Sequence, residues 1–558
     1  MQKLKIVIFT QAGLSVYNQS LFRRLIEDPL VDVAAIVVDE HPWRSQSLLK
    51  RVRKLGLGYL WWKTGKRIRE KASGLLWRIW LGDHCRRGGP SGWDELAKSG
   101  VQIYRTADIH NSATLDFIRS LQAELGIICG GRIIKDSVLS LPRLGTLNIH
   151  KRKTPDYRGG GAIGYWEILN HEKEIAVTIH YAVAKVDEGA VLAQQPIPIE
   201  PYDTLKSLAI KAGVTGSDLY YKVIRDFAQG KREGLPQDTS AGRTYRAASD
   251  YEEDMLERKL QRRARHARRR FGGYSRSASA WRWIKYTIQY PFLIRKRNQL
   301  VAAGQAPVIV LFYHRVANDA GSPGTAPLDD FVHTMDLIRR HYPIISMEEA
   351  MRRLASGHNT EIAFVVTFDD GYRADLQTSI PWLRTVGIPA TFYISIGHVL
   401  DGSSFQHDLR RGITDCQPMT VDELRTLPDS VISIGSHAWL HEDCGKIQGA
   451  ELERAVVASK AKLEEILGRA PETFAFPKGI KGVNIKREGW QLAASNYAAV
   501  CSAYSGYNFP KDGHLHIKRW GAPAHPVDVI HIMDGYTGLG DLKQGNLWTW
   551  KTSADLPY

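Results

Sequence analysis

Residues Val365–Tyr372 read VVTFDDGY, an apolar run that ends in two adjacent carboxylates and a glycine. Neighbouring carboxylates repel, so a pair at the end of a buried strand calls for a compensating charge or cation. From Ile362 to Phe368 the stretch is continuously hydrophobic, as a strand buried on both faces must be. Six more stretches read as strand candidates: VIVLFYH (308–314), ATFYIS (390–395), VISIGSH (431–437), TFAFP (473–477), AAVCSAY (498–504) and LHIKRW (515–520). Helical segments such as Glu451–Leu467 lie between most of them. Seven or eight parallel strands in roughly 250 residues predict a (β/α) barrel, whose reactive groups gather at the C-terminal ends of its strands.

Asp369 and Asp370 stand at one such end, and His437 at another. His437 and His441 form an H-x-x-x-H spacing that predicts two imidazoles on one face of a helical turn. Taken alone, H-x-x-x-H is more often a pair of surface histidines, and TFDDG an acidic turn. Together at successive strand ends they supply two imidazoles and a carboxylate, the three-ligand set that keeps a position open for water. The second aspartate is then left to act as base. Residues 306–558 resemble the NodB-type polysaccharide deacetylases (carbohydrate esterase family four) in LFYHRV, TFDDG, VGIPATFYI, HAWLH and FAFPKG, which occur in the family's order. The resemblance implies a deformed (β/α) barrel, Asp369 as catalytic base, and Asp370, His437 and His441 as ligands of a divalent metal, usually zinc. Ala438 stands where the family usually has Ser or Thr, and FAFPKG lacks the Arg of some branches. The general acid is left open: His514 and His516 are candidates, while HIKRW also fits the branch that carries Arg here, at Arg519.

The first 250 residues alternate between strand and helix patterns. Strands are expected at 5–10, 31–39, 124–131, 145–150 and 176–182, and helices at Val16–Ile26 and Ala113–Leu121. Such alternation predicts an open, largely parallel α/β sheet. Asn148 and His150 are two apart at a strand end and so share a face. Asp187 follows in KVDEGAVL. An amide, an imidazole and a carboxylate suit acyl transfer to an amine, by oxyanion stabilisation and proton transfer. N-x-H is nevertheless a common tripeptide; its order with LGTLNIH, DYRGGG and AVTIHYAVAKVDEGAVL gives it meaning. Over roughly residues 3–247 this resembles the formyltransferase family that includes methionyl-tRNA and sugar-nucleotide formyltransferases. The resemblance implies a Rossmann-like domain, Asn148, His150 and Asp187 as catalytic trio, and 10-formyltetrahydrofolate as donor. Where the family reads Ser-Leu-Leu after N-x-H-x, this chain has Arg152-Lys153-Thr154. That change either serves a phosphate-bearing acceptor or reflects drift in a weakened enzyme.

At 558 residues the chain is long enough for two or three domains. The organisation expected is a formyltransferase-like domain at 1–250 with a Trp-rich basic insertion at about 43–92, a basic aromatic linker at 251–304, and the deacetylase domain at 305–558. The net charge of +16 is concentrated: Arg258–Arg297 holds 14 Lys/Arg and no acid, and Lys50–Arg87 holds 12 against Glu70 and Asp83. Outside these two windows the chain is net acidic. Basic side chains interleaved with Trp and Tyr suit an anionic membrane surface, although a solvated linker is an equal reading. Nucleic acid is not expected as a partner, because no module for it is present. The apolar start MQKLKIVIFTQAG is read as a first strand rather than an export signal, and the five scattered cysteines as reduced thiols. The combined expectation is a bifunctional, cytoplasmic enzyme, peripheral on the inner leaflet, that acts on a nucleotide-linked or lipid-linked amino sugar of a surface polysaccharide. Two alternatives stand beside it: formylation followed by deformylation, as in aminoarabinose modification of lipid A, or a first domain that only binds.

Overall fold

The computed structural model describes residues 3–41, 59, 61–68, 71, 92–240, 242–269, 276–319, 324–414, 416–503, 505–523 and 526–535. Most of the Trp-rich insertion lies outside these. The chain divides into two compact units, one built from residues 1–79 and 88–266 and the other chiefly from 267–558.

The first unit is a seven-stranded sheet. Its strands are β1 (Leu4–Gln11), β2 (Val31–Asp39), β3 (Ile103–Thr106), β4 (Leu125–Ile128), β5 (Thr146–His150), β7 (Glu174–Tyr181) and β8 (Val191–Pro198), in the order β3-β2-β1-β4-β5-β7-β8. A short ribbon pairs β6 (Tyr157–Gly159) with β9 (Arg243–Tyr245) beside it. The strands from β3 to β5 are parallel, while β7 runs antiparallel to both β5 and β8. Ile6, Ile8, Ile127 and Leu147 are fully buried under helices on the sheet faces, as a parallel sheet requires. The expected strands and helices are present; β3 and β8 are additional, as is the long helix Leu205–Ala228. Thr204 caps that helix through a reciprocal box with Ser207. The strand order reverses between β1 and β4, and the C-terminal ends of β1, β4 and β5 open at this switch point.

The second unit carries β10 (Val308–Tyr313), the short pair β11 (Arg315–Val316) and β12 (Thr325–Ala326), β13 (Ala363–Phe368), β14 (Ala390–Ile394), β15 (Ile432–Ser436), β16 (Thr473–Ala475), β17 (Ala499–Cys501), β18 (His516–Ile517) and β19 (Arg519–Gly521). Eight of them form one all-parallel sheet, ordered β18-β17-β16-β15-β14-β13-β10-β19. Among the described residues no ladder joins the two edges. The gap is bridged by the chain itself: β18 pairs with β17, and one residue later β19 pairs with β10. At that break the Asn508 side chain takes over the missing ladder contacts. Its Oδ1 accepts from Lys518 N (2.8 Å), and its Nδ2 donates to Lys518 O (2.9 Å) and Val308 O (3.1 Å). The seventh expected strand, LHIKRW, is thus split between both edges.

The segment expected as a linker is helical. Most of Asp250–Arg269 belongs to the first unit, which ends at His266, and all of Arg276–Ala302 to the second, where Arg297 donates to Asp534 (3.1 Å). No helix among the described residues is long and apolar enough to cross a membrane. Cys129, Cys416, Cys444 and Cys501 are free and buried; Cys85 lies outside the described residues.

Candidate active sites

In the second unit, β13 delivers both aspartates to the C-terminal edge of the sheet. Asp369 continues the ladder for one residue, its N–H donating to Tyr313 O (2.9 Å), and Asp370 then turns with φ of 76°. The two carboxylates are separated by their partners. Asp369 is clamped by Arg519, Nη1 donating to Oδ1 at 2.7 Å and Nη2 to Oδ2 at 2.9 Å. Arg519 is fully buried and also donates from Nε to Ser502 O (3.1 Å). Burial alone would raise the pKa of Asp369, but the Arg519 and His437 charges overcome it and hold the carboxyl at about 2.

Asp370 meets imidazoles instead. Its Oδ1 lies 3.5 Å from His437 Nε2 and 3.4 Å from His441 Nε2. These three residues are the group among the described residues with metal-ligand spacing. Asp370 is fully buried, and neither of its carboxylate oxygens has a hydrogen-bond partner. A dry anion without a donor costs several kcal/mol unless a cation answers it. His437 donates from Nδ1 to Ala475 O (2.7 Å), which leaves Nε2 with its lone pair toward Asp370. Burial pushes His437 down to about 4 and His441 down to about 3, so both are neutral donors. The residues fit a divalent cation on three donors, with remaining positions for water and substrate.

The helical turn expected for 437–441 is not what brings the histidines together. Ala438 and His441 have φ of 63° and 56°, and the segment is a loop. Its Trp439 and Leu440 N–H groups donate to Glu442 Oε2 (3.1 and 2.8 Å), and the Trp439 carbonyl accepts from Gly397 N (2.6 Å). A side chain rather than a helix therefore satisfies the backbone.

Neither histidine left open as acid meets Asp369; it is Arg519, the residue of the alternative branch, that is placed on it. His516 bonds to Ser502 Oγ (2.9 Å), and burial lowers its pKa to about 3. His514 precedes β18, away from the end that carries Asp369. Two further histidines face the cluster. The charge of His314, just after β10, bears on both Asp369 and His441. His407 Nε2 lies 3.7 Å from Asp370 Oδ2.

In the first unit, β5 presents Asn148 and His150 at its C-terminal end, and Asp187 reaches them from the loop between β7 and β8. Asp187 has φ of 56°, and its Oδ2 accepts from Gly159 N (3.0 Å). Asp187 Oδ2 lies 3.4 Å from His150 Nδ1, while His150 Nε2 donates to Tyr157 O (2.9 Å). The proton that would make His150 an imidazolium therefore goes on Nδ1, beside Asp187. Burial lowers the His150 pKa below 6.5 against the pull of Asp187, so the ring rests neutral. Burial would raise Asp187, but neighbouring His180, the His150 charge and the Gly159 amide outweigh it and keep it low.

His180 is the residue the motif reading passes over. It lies directly across the β5–β7 ladder from Asn148. Its Nδ1–H donates to Tyr181 O (2.8 Å), so Nε2 accepts from Asn148 Nδ2 (3.2 Å) and sits 3.6 Å from Asp187 Oδ1. One imidazole thus bonds the amide and lies beside the carboxylate. Of the basic residues after His150, Lys153 pairs with Glu174 (3.4 Å) and Asp156 (3.7 Å), whereas buried Arg152 donates to Ala162 O (2.8 Å) and its charge helps to lower the His150 pKa.

Each unit thus ends its sheet in a compact polar site, one an amide–imidazole–carboxylate trio and the other a metal-type donor set beside an Arg-bound aspartate. Residues 90–224 match the formyl transferase family model, and residues 356–495 match the polysaccharide deacetylase model. The chain therefore joins a segment of the formyl transferase family to one of the polysaccharide deacetylase family. A methionyl-tRNA formyltransferase of Staphylococcus aureus (strain JH1) is 33% identical over 142 residues, which is 25% of this chain and 45% of the relative's length. IcaB from Ammonifex degensii aligns with 41% of this chain and 97% of its own at 20% identity and a TM-score of 0.35. An N-formyltransferase from Helicobacter canadensis, in complex with folinic acid and dTDP-3-aminofucose, aligns with 44% of this chain and 71% of its own at 15% identity and a TM-score of 0.28. No functional argument rests on overlaps that low.

Proposed function

We infer that the protein is a bifunctional amino-sugar-modifying enzyme. Its second unit hydrolyses an N-acyl group from a sugar with the help of a divalent metal, zinc being the expected one. Its first unit transfers a formyl group from 10-formyltetrahydrofolate to a sugar amine. The observation that carries this reading is the division of labour between the two aspartates. Asp370 is a buried anion presented with two neutral imidazoles, and Asp369 is fixed beside it by Arg519.

A cation at Asp370, His437 and His441 would polarise the acyl carbonyl and make its water acidic. Asp369 would accept that water's proton. A carboxylate held at about 2 is a weak base, so it suits only a water that is already acidified. In the first unit, Asn148 would donate to the oxyanion, neutral His150 would take the amine proton on Nδ1, and Asp187 would stabilise the resulting imidazolium. The close approach of His150 to Asp187, with Asn148 held by His180, speaks against a first unit that only binds.

The acceptor we assign is a nucleotide-linked or lipid-linked amino sugar, with N-acetyl replaced by N-formyl. Incubation of the metal-loaded protein with nucleotide-linked acetamido sugars and the formyl donor should release acetate and give a product 14 Da lighter than the substrate, the mass by which formyl is smaller than acetyl. Release of neither acetate nor formate, with metal supplied, defeats the reading; a free amine as final product favours formylation followed by deformylation.

We place the protein on the cytoplasmic face of an anionic membrane. The support is the unopposed basic window of Arg258–Arg297 together with the helix Arg276–Ala302. That helix buries Leu293 and Ile294 but leaves Ile288 68% and Phe292 53% exposed, next to exposed Arg295 and Lys296.

A further inference from the structure

Asp370 faces three imidazoles, and the cation site accounts for two of them. Its Oδ1 is turned to His437 and His441, at 3.5 and 3.4 Å, whereas its Oδ2 is turned to His407 Nε2 at 3.7 Å. The His407 ring lies 5.2 Å from that of His441, a separation close to the 5.0 Å between the His437 and His441 rings. On its other side it stacks on Phe405 at 5.7 Å. His407 is thus held in place, and it belongs to the same cluster without meeting the spacing of a ligand.

Its hydrogen bonding assigns it a different task. The Tyr372 hydroxyl donates to Asp408 Oδ2 (2.7 Å), and it also lies 2.8 Å from His407 Nε2. A hydroxyl has one hydrogen to give, so Tyr372 must accept from His407, and the proton of that ring sits on Nε2. A nitrogen that carries a proton cannot also be a metal ligand. That N–H is taken by Tyr372, and the bond pins the ring with its Nε2 edge 3.7 Å from Asp370 Oδ2, an oxygen without a hydrogen-bond partner. Asp408 and Tyr372 are both buried, so the line Asp408–Tyr372–His407 is anchored in the core and ends at the site.

We propose that His407 is a positioning residue for the metal-binding carboxylate. Its ring edge, pinned through the Nε2–H bond to Tyr372 and by Asp408 behind it, occupies the Oδ2 side of Asp370 and leaves Oδ1 to the cation. Partners of this kind orient a ligating carboxylate and typically change metal affinity about 10–100-fold. The proposal rests on the metal-dependent reading of the second unit, and the test separates the two.

The full chain is stripped with a chelator, and its affinity for Zn²⁺ is measured by competition with a chromophoric chelator. If the native protein binds no Zn²⁺, the metal-dependent reading and this proposal both fall. If it binds, His407→Ala should weaken affinity about 10–100-fold, Tyr372→Phe should weaken it by less, and His407→Gln, which keeps an N–H, should recover part of the loss. The visible spectrum of the Co²⁺-loaded His407→Ala protein should keep the native shape, because the ligand set is unchanged. Native-like Zn²⁺ affinity in both His407→Ala and Tyr372→Phe would overturn the proposal. A changed Co²⁺ spectrum would overturn it too, by making His407 a ligand. His407 is on the short, part-exposed helix Gln406–Leu409, and far-ultraviolet circular dichroism checks that the variants fold.

Discussion

Arg519→Met tests the coupling on which the deacylase site is built. Arg519 is fully buried, and its two Nη groups hold both oxygens of Asp369, itself only 3% exposed. Between the ordinary value of 3.8 and about 2, the depression of the Asp369 pKa corresponds to about 2 kcal/mol of stability by linkage. Because the folded value is the lower one, that stability is fully present above pH 4 or so and is lost as pH falls toward 2. Removing the guanidinium costs more than this, because it strands a buried carboxylate with no counter-charge; about 3–5 kcal/mol is the usual penalty. Asp369→Asn alone strands the guanidinium instead, whereas the double variant removes both charges and should regain part of the loss. The assay is urea unfolding of the metal-free chain at pH 7, following the transition that Asp369→Asn displaces, since the two units need not unfold together. A coupling below about 0.5 kcal/mol in this cycle would refute the reasoning, because contacting residues in one ion pair couple by more than that.

Asp370→Asn or His441→Ala should abolish stoichiometric Zn²⁺ binding and cut deacylation by at least about 100-fold, checked by metal analysis and acetate release. Asn148→Ala should lower the kcat of formyl transfer by about 100- to 1,000-fold with little change in KM, the signature of a donor that acts on the developing oxyanion. The acid limb of the kcat/KM profile for formyl transfer should lie below pH 6.5, because burial keeps His150 neutral into that range and protonation there removes the base. Asp187→Asn should move that limb still lower, because it removes a charge that raises His150. With Ile288→Ser and Phe292→Ser combined, sedimentation with anionic phosphatidylglycerol vesicles at physiological salt should fall several-fold; equal binding before and after would exclude that helix face.

The seven C-terminal strands are legible because parallel strands buried on both faces must be apolar throughout, and VIVLFYH or IAFVVTF can hardly be anything else. DD, HxxxH and NxH were legible as chemistry because each ligand or trio member falls in a short run. What the sequence conceals is contact between distant runs. Arg519 sits at Asp369 only because the chain changes edges at Lys518, a break visible in the ladder and in the Asn508 bonds that replace it. His180 meets Asn148 through the register of an antiparallel pair, and AVTIHYA carries no sign of that partner. β3 was missed because IYRT is too short for its alternation to register, and β8 because Gln194 and Gln195 interrupt VLAQQPIP. The helical reading of 437–441 failed at Ala438 and His441, whose left-handed backbone is set by Glu442 and no residue type announces it.

Under the proposed function the two sites would place opposite demands on one nitrogen, and their electrostatics divide accordingly. Hydrolysis of an N-acyl sugar expels an amine that must leave with a proton, in a site where Asp369 is held anionic by Arg519 and is regenerated only by giving that proton up. Formyl transfer needs the same nitrogen without its extra proton, because an ammonium has no lone pair to attack with. His150 meets that need: it rests neutral through burial, and when it takes the proton on Nδ1 it gains Asp187 at 3.4 Å. A charged lysine or arginine in its place would repel an ammonium acceptor and could not accept its proton. Of the two basic residues next to the trio, Lys153 is spent on Asp156 and Glu174, while the Arg152 charge adds to the burial that keeps His150 neutral.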